Sequence, residues 1–335
     1  MWYRPSAPPV MLRPLSLLFG LGVRARRAAY AGGLLRSQRL PQPVVVVGNL
    51  SVGGSGKTPL VIWLTAKLRA AGFVPGVVLR GYRGSAARSA TPLRVQADSD
   101  PAVVGDEALL LRERTGGPVA VCSDRVSAAR LLAAEGANLI VSDDGLQHFS
   151  LARDFEIAVV DGERGLGNGY LLPAGPLREP PRRLESVDAV VVNGEGPFWA
   201  SLNKPLTMRL AGDRLMALDG RTASIALSSL AGRRVHALAG IGYPQRFFAQ
   251  LRAAGIEPIE HPFPDHHRFR RDEMLFDDGL PVLMTEKDAV KCRGLGGADH
   301  WYLPVTASFA ETDAATLLGR LRRALEQQKI RIAGE

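Results

Sequence analysis

Apolar residues along the chain fall into two kinds of run. Short, mostly apolar runs rich in β-branched residues recur at Val44-Val45-Val46-Val47, Val74–Leu79, Val119–Cys122, Leu139-Ile140-Val141-Ser142, Phe155–Val160 and Ala189–Asn193. Runs that are apolar at every position, rather than at every second one, belong to strands covered on both faces, as in parallel sheets. Between them lie segments whose apolar positions fall three and four apart. These are Pro59–Ala71, with Leu60, Val61, Leu64 and Leu68 on one face and Gly72 as its stop, about Asp106 to Arg114, and Arg125 to Glu135. Strands alternating with helices predict an α/β fold with a doubly wound, mostly parallel sheet. Such sheets bind ligands at the carboxyl ends of their strands. Arg80, Asp124, Asp143, Asp144 and Asp161 all fall at those ends.

The alternation restarts near Arg233. A strand at Val235–Ala239, a helix at Pro244–Ala254, strands at Glu257–His261 and Pro281–Thr285, a segment near Trp301–Val305 and a helix from about Thr312 to Gln327 predict a second, smaller α/β layer. The stretch from Pro205 to Thr222 carries Gly212, Asp219-Gly220 and alternating apolar residues, a pattern that predicts a β-hairpin linker.

The first strand runs straight into Gly48-Asn49-Leu50-Ser51-Val52-Gly53-Gly54-Ser55-Gly56-Lys57-Thr58, and a helix follows. Strand, glycine loop, Gly-Lys-Thr and helix make the context of a P-loop, although the strict pattern would have glycine where this chain has Ser51. In such a loop, Ser51, Val52, Gly53, Gly54, Ser55 and Gly56 turn backbone N–H groups onto phosphate oxygens, aided by the helix N-terminus. Lys57 reaches the β- and γ-phosphates, and the Thr58 hydroxyl ligates Mg²⁺. The second apolar strand ends in Asp143-Asp144, the Walker-B arrangement that sets carboxylates beside the magnesium. ATP and Mg²⁺ are therefore the expected cofactors. The division predicted is an N-terminal arm at 1–32, a P-loop domain at 33–204, the linker at 205–232, the smaller α/β domain at 233–328 and a tail at 329–335.

Two P-loop classes lose their sharpest signature here. Guanine-specific GTPases carry Asn-Lys-x-Asp, whereas Asn203-Lys204-Pro205-Leu206 ends in leucine. Partitioning ATPases carry a second lysine five places before the first, and Val52 occupies that place.

Composition is that of an ordinary globular chain, with 46% apolar and 22% charged residues in 335. The two cysteines, Cys122 and Cys292, make neither a disulfide framework nor a metal cluster and fit a reducing compartment. Charge changes the picture more. Residues 1–97 hold fourteen Lys and Arg and no acid; the remainder holds 28 basic and 33 acidic residues, net −5. A field of this kind attracts nucleic acid, an anionic membrane or a phosphorylated substrate. The longest apolar stretch near the start, Pro14 to Val23, is too short to span a bilayer. Residues 10–32 predict a helix with Arg13, Arg24 and Arg27 on one face and Leu15, Leu18 and Phe19 on the other. It reads as an interfacial helix or as one packed on its own domain. On residues alone, a P-loop ATPase or small-molecule kinase with a nucleic-acid-binding basic end stays open beside a kinase of an anionic lipid.

An ordered set of strings decides between them. It comprises Gly48-Asn49 with Gly53 to Pro59, Arg80-Gly81-Tyr82, Val104-Gly105-Asp106-Glu107, Asp143-Asp144-Gly145-Leu146-Gln147-His148 and Leu172-Pro173-Ala174-Gly175-Pro176-Leu177-Arg178-Glu179. Ala239-Gly240-Ile241-Gly242, Phe263-Pro264-Asp265-His266-His267 and Thr285-Glu286-Lys287-Asp288-Ala289-Val290-Lys291 complete it. From about residue 10 to about 325 the chain resembles the tetraacyldisaccharide 4′-kinase (lipid A 4′-kinase) family. The resemblance implies ATP-dependent phosphorylation of the 4′-hydroxyl of the tetraacylated glucosamine disaccharide 1-phosphate, giving lipid IVA. It also implies a peripheral protein on the cytoplasmic face of the bacterial inner membrane, bound to anionic lipid, with no nucleic acid and no obligate protein partner. Asp106 matches the proposed catalytic carboxylate. Asp143, Asp144 and Gln147 match metal and substrate positions, and Arg178 and Glu179 an Arg-Glu pair near nucleotide or lipid. Arg80 is expected on the substrate. One histidine, His266 rather than His267, is expected to close over Asp106 by a hinge motion and tune it as a base.

Overall fold

The computed structural model describes residues 2, 3, 8–196, 202, 204–221 and 224–333. The ends of the predicted arm and tail, residues 1, 4–7, 334 and 335, lie outside these, as does Asn203.

The chain begins with α1 (Leu12–Ala31), β1 (Val44–Gly48), α2 (Lys57–Ala70), β2 (Pro75–Leu79) and a short edge strand β3 (Leu93–Arg94). Next come α3 (Pro101–Val104), α4 (Asp106–Thr115), β4 (Val119–Val121), α5 (Arg125–Ala134), β5 (Leu139–Asp143), β6 (Phe155–Asp161) and β7 (Ala189–Asn193). Then follow β8 (Leu206–Ala211), β9 (Arg214–Ala217), β10 (Ser224–Ala226), β11 (Arg234–Ala239), α6 (Pro244–Ala253) and β12 (Glu257–Pro262). The chain closes with β13 (Val282–Thr285), α7 (Glu286–Ala289), β14 (His300–Leu303), β15 (Thr306–Phe309) and α8 (Glu311–Ala333).

The large sheet has nine strands in the order β15-β8-β7-β6-β1-β5-β2-β4-β3. All pairs are parallel except at its two edges, where β15 and β3 run antiparallel to β8 and β4. Alternate valines of β1 serve opposite faces. Val45 and Val47 pack under α2, α4 and α8, and Val44 and Val46 pack toward α5. That two-sided burial is why the strand needs four apolar residues in succession. The order places β1 between β5 and β6, so the P-loop and the Asp143-Asp144 turn emerge side by side at the carboxyl edge.

The small sheet has six strands, β10-β9-β14-β13-β11-β12, with β14, β13, β11 and β12 parallel. Phe247, Phe248 and Leu251 of α6 cover one face with Val235, Ala237 and Leu283 beneath them.

Two expectations are corrected here. Leu206–Ala211 and Arg214–Ala217 do not pair as a hairpin. β8 extends the large sheet beside β7, and β9 joins the small sheet beside β14. The alternation of a hairpin arm and of two strands crossing between sheets is the same, so the pattern could not separate them. The smaller domain also does not run to residue 328. After β14 the chain returns: β15 pairs with β8, and Leu317, Leu321 and Leu325 of α8 enter the large core. The outward and return crossings lie against each other at Gly212, where a Cβ would stand 2.4 Å from the Pro304 carbonyl oxygen. Only glycine admits that approach.

Candidate active site

The P-loop is built as its sequence requires. β1 is fully buried, and α2 starts at Lys57, two residues earlier than the apolar spacing predicts. Pro59 is tolerated there because the first-turn N–H groups have no intrahelical acceptor. Gly56 has φ +93° and packs on the β7 end: an added Cβ would lie 2.5 Å from Asn193 Nδ2, which donates to the Ser55 carbonyl at 3.1 Å. Ser51 bridges to Leu177, Val52 N–H donates to the Pro176 carbonyl at 2.9 Å, and Arg178 N–H donates to the Leu50 carbonyl at 2.6 Å. The 172–179 segment thus braces the outer side of the loop.

Lys57 and Asp144 meet at 3.5 Å, and Arg178 Nη1 donates to both Asp144 oxygens at 3.0 and 2.9 Å. Burial alone would raise the Asp144 pKa, but the Lys57 and Arg178 cations hold it far below the usual carboxylate range. Asp143 goes the other way: burial, the Glu107 charge and neighbouring Asp144 push it up to about 7 against the pull of Lys57. Asp143 Oδ1 and the Ser55 hydroxyl are buried with no hydrogen-bond partner among the described residues. An unengaged carboxylate oxygen at the end of the strand paired with the P-loop strand fits Mg²⁺, which takes one or two protein oxygens and leaves the rest to phosphate and water. No cluster of three or more His, Cys, Asp or Glu suited to a metal occurs among the described residues, so the donor set is of this sparse kind.

Gln147 and Glu179 sit deeper than the resemblance implies for groups that touch substrate. Gln147 Nε2 donates to the Asn49 carbonyl at 3.1 Å and to Glu179 Oε1 at 2.8 Å. Glu179 is buried, with Arg183 Nε 3.5 Å from its other oxygen. They tie Arg178 and the floor of the loop together. Arg80 is exposed at the end of β2 with no ion-pair partner among the described residues.

Asp106 is the first residue of α4, 4% exposed, with its carboxylate at the helix N-terminus. His266 Nδ1 lies 3.0 and 2.8 Å from its two oxygens. Burial would raise the Asp106 pKa, but the His266 hydrogen bond and the Lys287 and Lys291 ammonium groups hold it below the ordinary value. His266 has φ +63°, a conformation that costs a non-glycine residue on the order of 1 kcal/mol and is fixed here by its N–H on the Gly240 carbonyl at 3.1 Å. The expected hinge motion is not needed for this contact, because the two lobes already meet with His266 on Asp106. His267 faces away and bonds Glu273 at 3.0 Å. A cavity of about 300 Å³ opens over the pair, lined by Tyr82, Arg83, Asp106, His266, Arg268 and Lys291. A larger one, about 590 Å³, lies at the far end of α4 between Glu113, Arg114, Glu286 and Arg293 and contains none of these groups.

Sequence reasoning missed the small lobe's reach over the phosphate loop. Arg246 of α6 contacts Asp161 at 2.7 Å, Arg164 contacts the same carboxylate at 3.0 Å, and the Arg164 guanidinium lies between the rings of Tyr3 and Tyr243. Asp161 had the signal of a strand-end acid; Arg164 and Arg246 had none.

Known proteins resemble the chain throughout. The family described as tetraacyldisaccharide-1-P 4′-kinase matches residues 9–324. A tetraacyldisaccharide 4′-kinase of Alkalilimnicola ehrlichii is 54% identical over 300 residues, 88% of this chain and 87% of the relative. One from Azoarcus sp. strain BH72 is 51% identical over 325 residues, 96% and 94% of the two chains. Among solved structures, LpxK from Aquifex aeolicus in complex with ATP superposes with a TM-score of 0.73 at 28% identity, covering 93% of this chain and 98% of the other.

Proposed function

The chain belongs to the tetraacyldisaccharide 4′-kinase family, and we propose that its interlobe cleft transfers the γ-phosphoryl group of ATP to the 4′-hydroxyl of a tetraacylated glucosamine disaccharide 1-phosphate, giving lipid IVA. The observation that carries this reading is the Asp106–His266 pair, assembled from two lobes, the smaller of which also meets the P-loop, where a Cβ on Gly242 would stand 3.1 Å from the Gly54 nitrogen. The sugar hydroxyl gives its proton to Asp106 as its oxygen bonds the γ-phosphorus, and the bond to the β-phosphate oxygen breaks, releasing ADP. A buried carboxylate kept ionised by its neighbours is ready to accept that proton.

The backbone N–H groups of residues 51–56 cradle the phosphates, and Lys57, oriented by Asp144, neutralises their charge. Thr58 and Asp143 would hold Mg²⁺, which when bound neutralises charge on the β- and γ-oxygens. Gln147 and Glu179 act through Arg178, while Arg80, exposed at the strand end, meets the anionic substrate. Incubation with ATP, Mg²⁺ and the lipid disaccharide 1-phosphate is expected to add one phosphoryl mass to the lipid. ATP turnover with an unchanged lipid mass would sink the reading.

The substrate's acyl chains place the reaction at a membrane surface, and α1 fits one on the cytoplasmic face of the inner membrane. The helix docks through small residues: Ser16 Oγ donates to the Leu171 carbonyl at 2.8 Å, and Gly20 packs on Leu171. Leu15, Leu17, Leu18 and Leu21 are left more than half exposed. This favours the interfacial helix over one packed by its apolar face. No helix among the described residues is long and apolar enough to cross a membrane. Each Lys or Arg near an anionic surface contributes about 1 kcal/mol. The protein is expected to sediment with anionic vesicles, and raised salt is expected to release part of it, since the apolar contribution is unscreened. Leu17→Asp with Leu18→Asp should abolish the salt-resistant fraction. Equal sedimentation of that variant would place the membrane contact elsewhere.

A further inference from the structure

Behind the Asp106–His266 pair stands a cation that the reaction as described does not use. Lys287, the second residue of α7, is largely buried and reaches both lobes. Its ammonium lies 3.0 Å from Glu107 Oε1 on α4, 3.4 Å from Asp265 Oδ1 in the small lobe and 3.3 Å from His266 Nε2. An ammonium has three donors and no lone pair. Burial opposes its charge, but Glu107, Asp106 and Asp265 outweigh that and push its pKa well above the ordinary lysine value, so Lys287 remains protonated.

The consequence falls on the imidazole. Its Nδ1 faces the ionised Asp106 carboxylate, which only accepts, so Nδ1 carries a proton. Its Nε2 faces a group that only donates, so Nε2 keeps its lone pair. From this geometry we infer that Lys287 is a positioning residue that holds His266 as the neutral Nδ1–H tautomer, with Nδ1 donating to Asp106 and Nε2 accepting from Lys287. The inference rests on Asp106 being the base. A neutral donor orients the carboxylate and leaves it basic, whereas an imidazolium 2.8 Å away would weaken it as a proton acceptor.

The surroundings of the ring are mixed, and Lys287 decides among them. Asp265 Oδ2, 3.6 Å from Nε2, would favour an imidazolium, but Lys287 also binds that carboxylate. Lys291 lies 3.9 Å from Asp106, Arg83 donates to the Asp265 carbonyl at 3.1 Å, and Arg268 lines the cavity, all opposing a further positive charge. Tyr82 meets the ring edgewise at 5.4 Å. The two partners share one frame: His266 hangs from the Gly240 carbonyl, while Gly240 N–H and the Thr285 hydroxyl both donate to Asp288 within α7.

The test reads the tautomer first and the rate second. In full-length protein with ¹⁵N-labelled histidine, with the His266 signals assigned by their loss in His266→Gln, Nδ1 should show a pyrrole-type shift and Nε2 a pyridine-type shift at neutral pH. A protonated Nε2 in the wild type would overturn the inference without any variant. In Lys287→Met the Nε2 shift should move toward the protonated form. The acid limb of kcat for the lipid disaccharide 1-phosphate should then move up by about one pH unit, giving a loss of about tenfold on the acid side of the limb that alkali restores. Lys287→Arg should keep the wild-type shift and profile. Asp106, relieved of the same cation, would also titrate higher, so the histidine resonance identifies the group responsible. A folded Lys287→Met whose resonance and pH profile match the wild type would overturn the inference. A wild type with the stated tautomer and no lipid product would leave the tautomer standing and remove the kinase reading of the site.

Discussion

Asp106→Asn is expected to lower kcat by about a thousandfold, roughly 4 kcal/mol of transition-state stabilisation, with ATP affinity unchanged. The amide keeps the shape of the side chain and can still accept the His266 Nδ1–H, but it cannot take the proton of the attacking hydroxyl. Asp106 bonds His266 and lies near Lys291, and no residue of the phosphate loop is among its contacts. The loss should therefore appear in kcat and not in ATP binding, which calorimetry measures separately. Removal of the charge also leaves Lys287 and Lys291 with one carboxylate fewer, so a modest fall in thermal stability should accompany it. Collapse of ATP binding with kcat largely retained would make Asp106 a structural residue.

Lys57→Ala and Thr58→Ala are each expected to cost at least a hundredfold in turnover, about 3 kcal/mol. The two should fail differently. Without Lys57, Asp144 keeps Arg178 as its partner, so the turn after β5 should hold its shape and the fold should survive. What is lost is the cation that follows charge onto the β- and γ-phosphates. Lys57→Arg should rescue poorly, because a planar fork cannot replace the compact ammonium that sits 3.5 Å from Asp144. For Thr58→Ala, raised Mg²⁺ should recover part of the rate if the hydroxyl is a ligand. ATP-dependent turnover near wild type in Lys57→Ala would remove the phosphate-loop assignment.

How much of this was legible in the sequence depends on the range of the interactions. Val44 to Thr58 declared strand, loop and helix because every element there is local. The Val-Gly-Asp-Glu and Pro-Asp-His-His strings stand 160 positions apart at Asp106 and His266, and nothing in either string says that they touch. Only the family resemblance suggested it. Lys287 lay in a quoted string with no role, because its partners come from two lobes. Gln147 and Glu179 were expected near the ligands through the family resemblance alone. Their bonding to each other and to Arg178 and Arg183 depends on how the 172–179 segment folds against the phosphate loop, which spacing cannot reveal. The β8–β9 segment misled for a related reason, since alternation records that one face is covered and not by what.

The side-by-side crossings at Gly212 and Pro304 also bear on how the protein is made. On the ribosome the small lobe emerges whole, from β9 to β14, before its neighbour can finish. The large lobe must wait with β8 as an open edge and the side of α2 uncovered until β15 and α8 leave the exit tunnel. Trp63 of α2 packs at a tilt against Phe309 of β15, and Gln328 reaches back to the Pro41 carbonyl at 3.0 Å, so these late contacts join the last part of the chain to its first third. A nascent chain stalled so that β14 has left the exit tunnel while β15 and α8 have not should therefore present a folded C-terminal lobe on a protease-sensitive N-terminal one, the reverse of the usual order of synthesis.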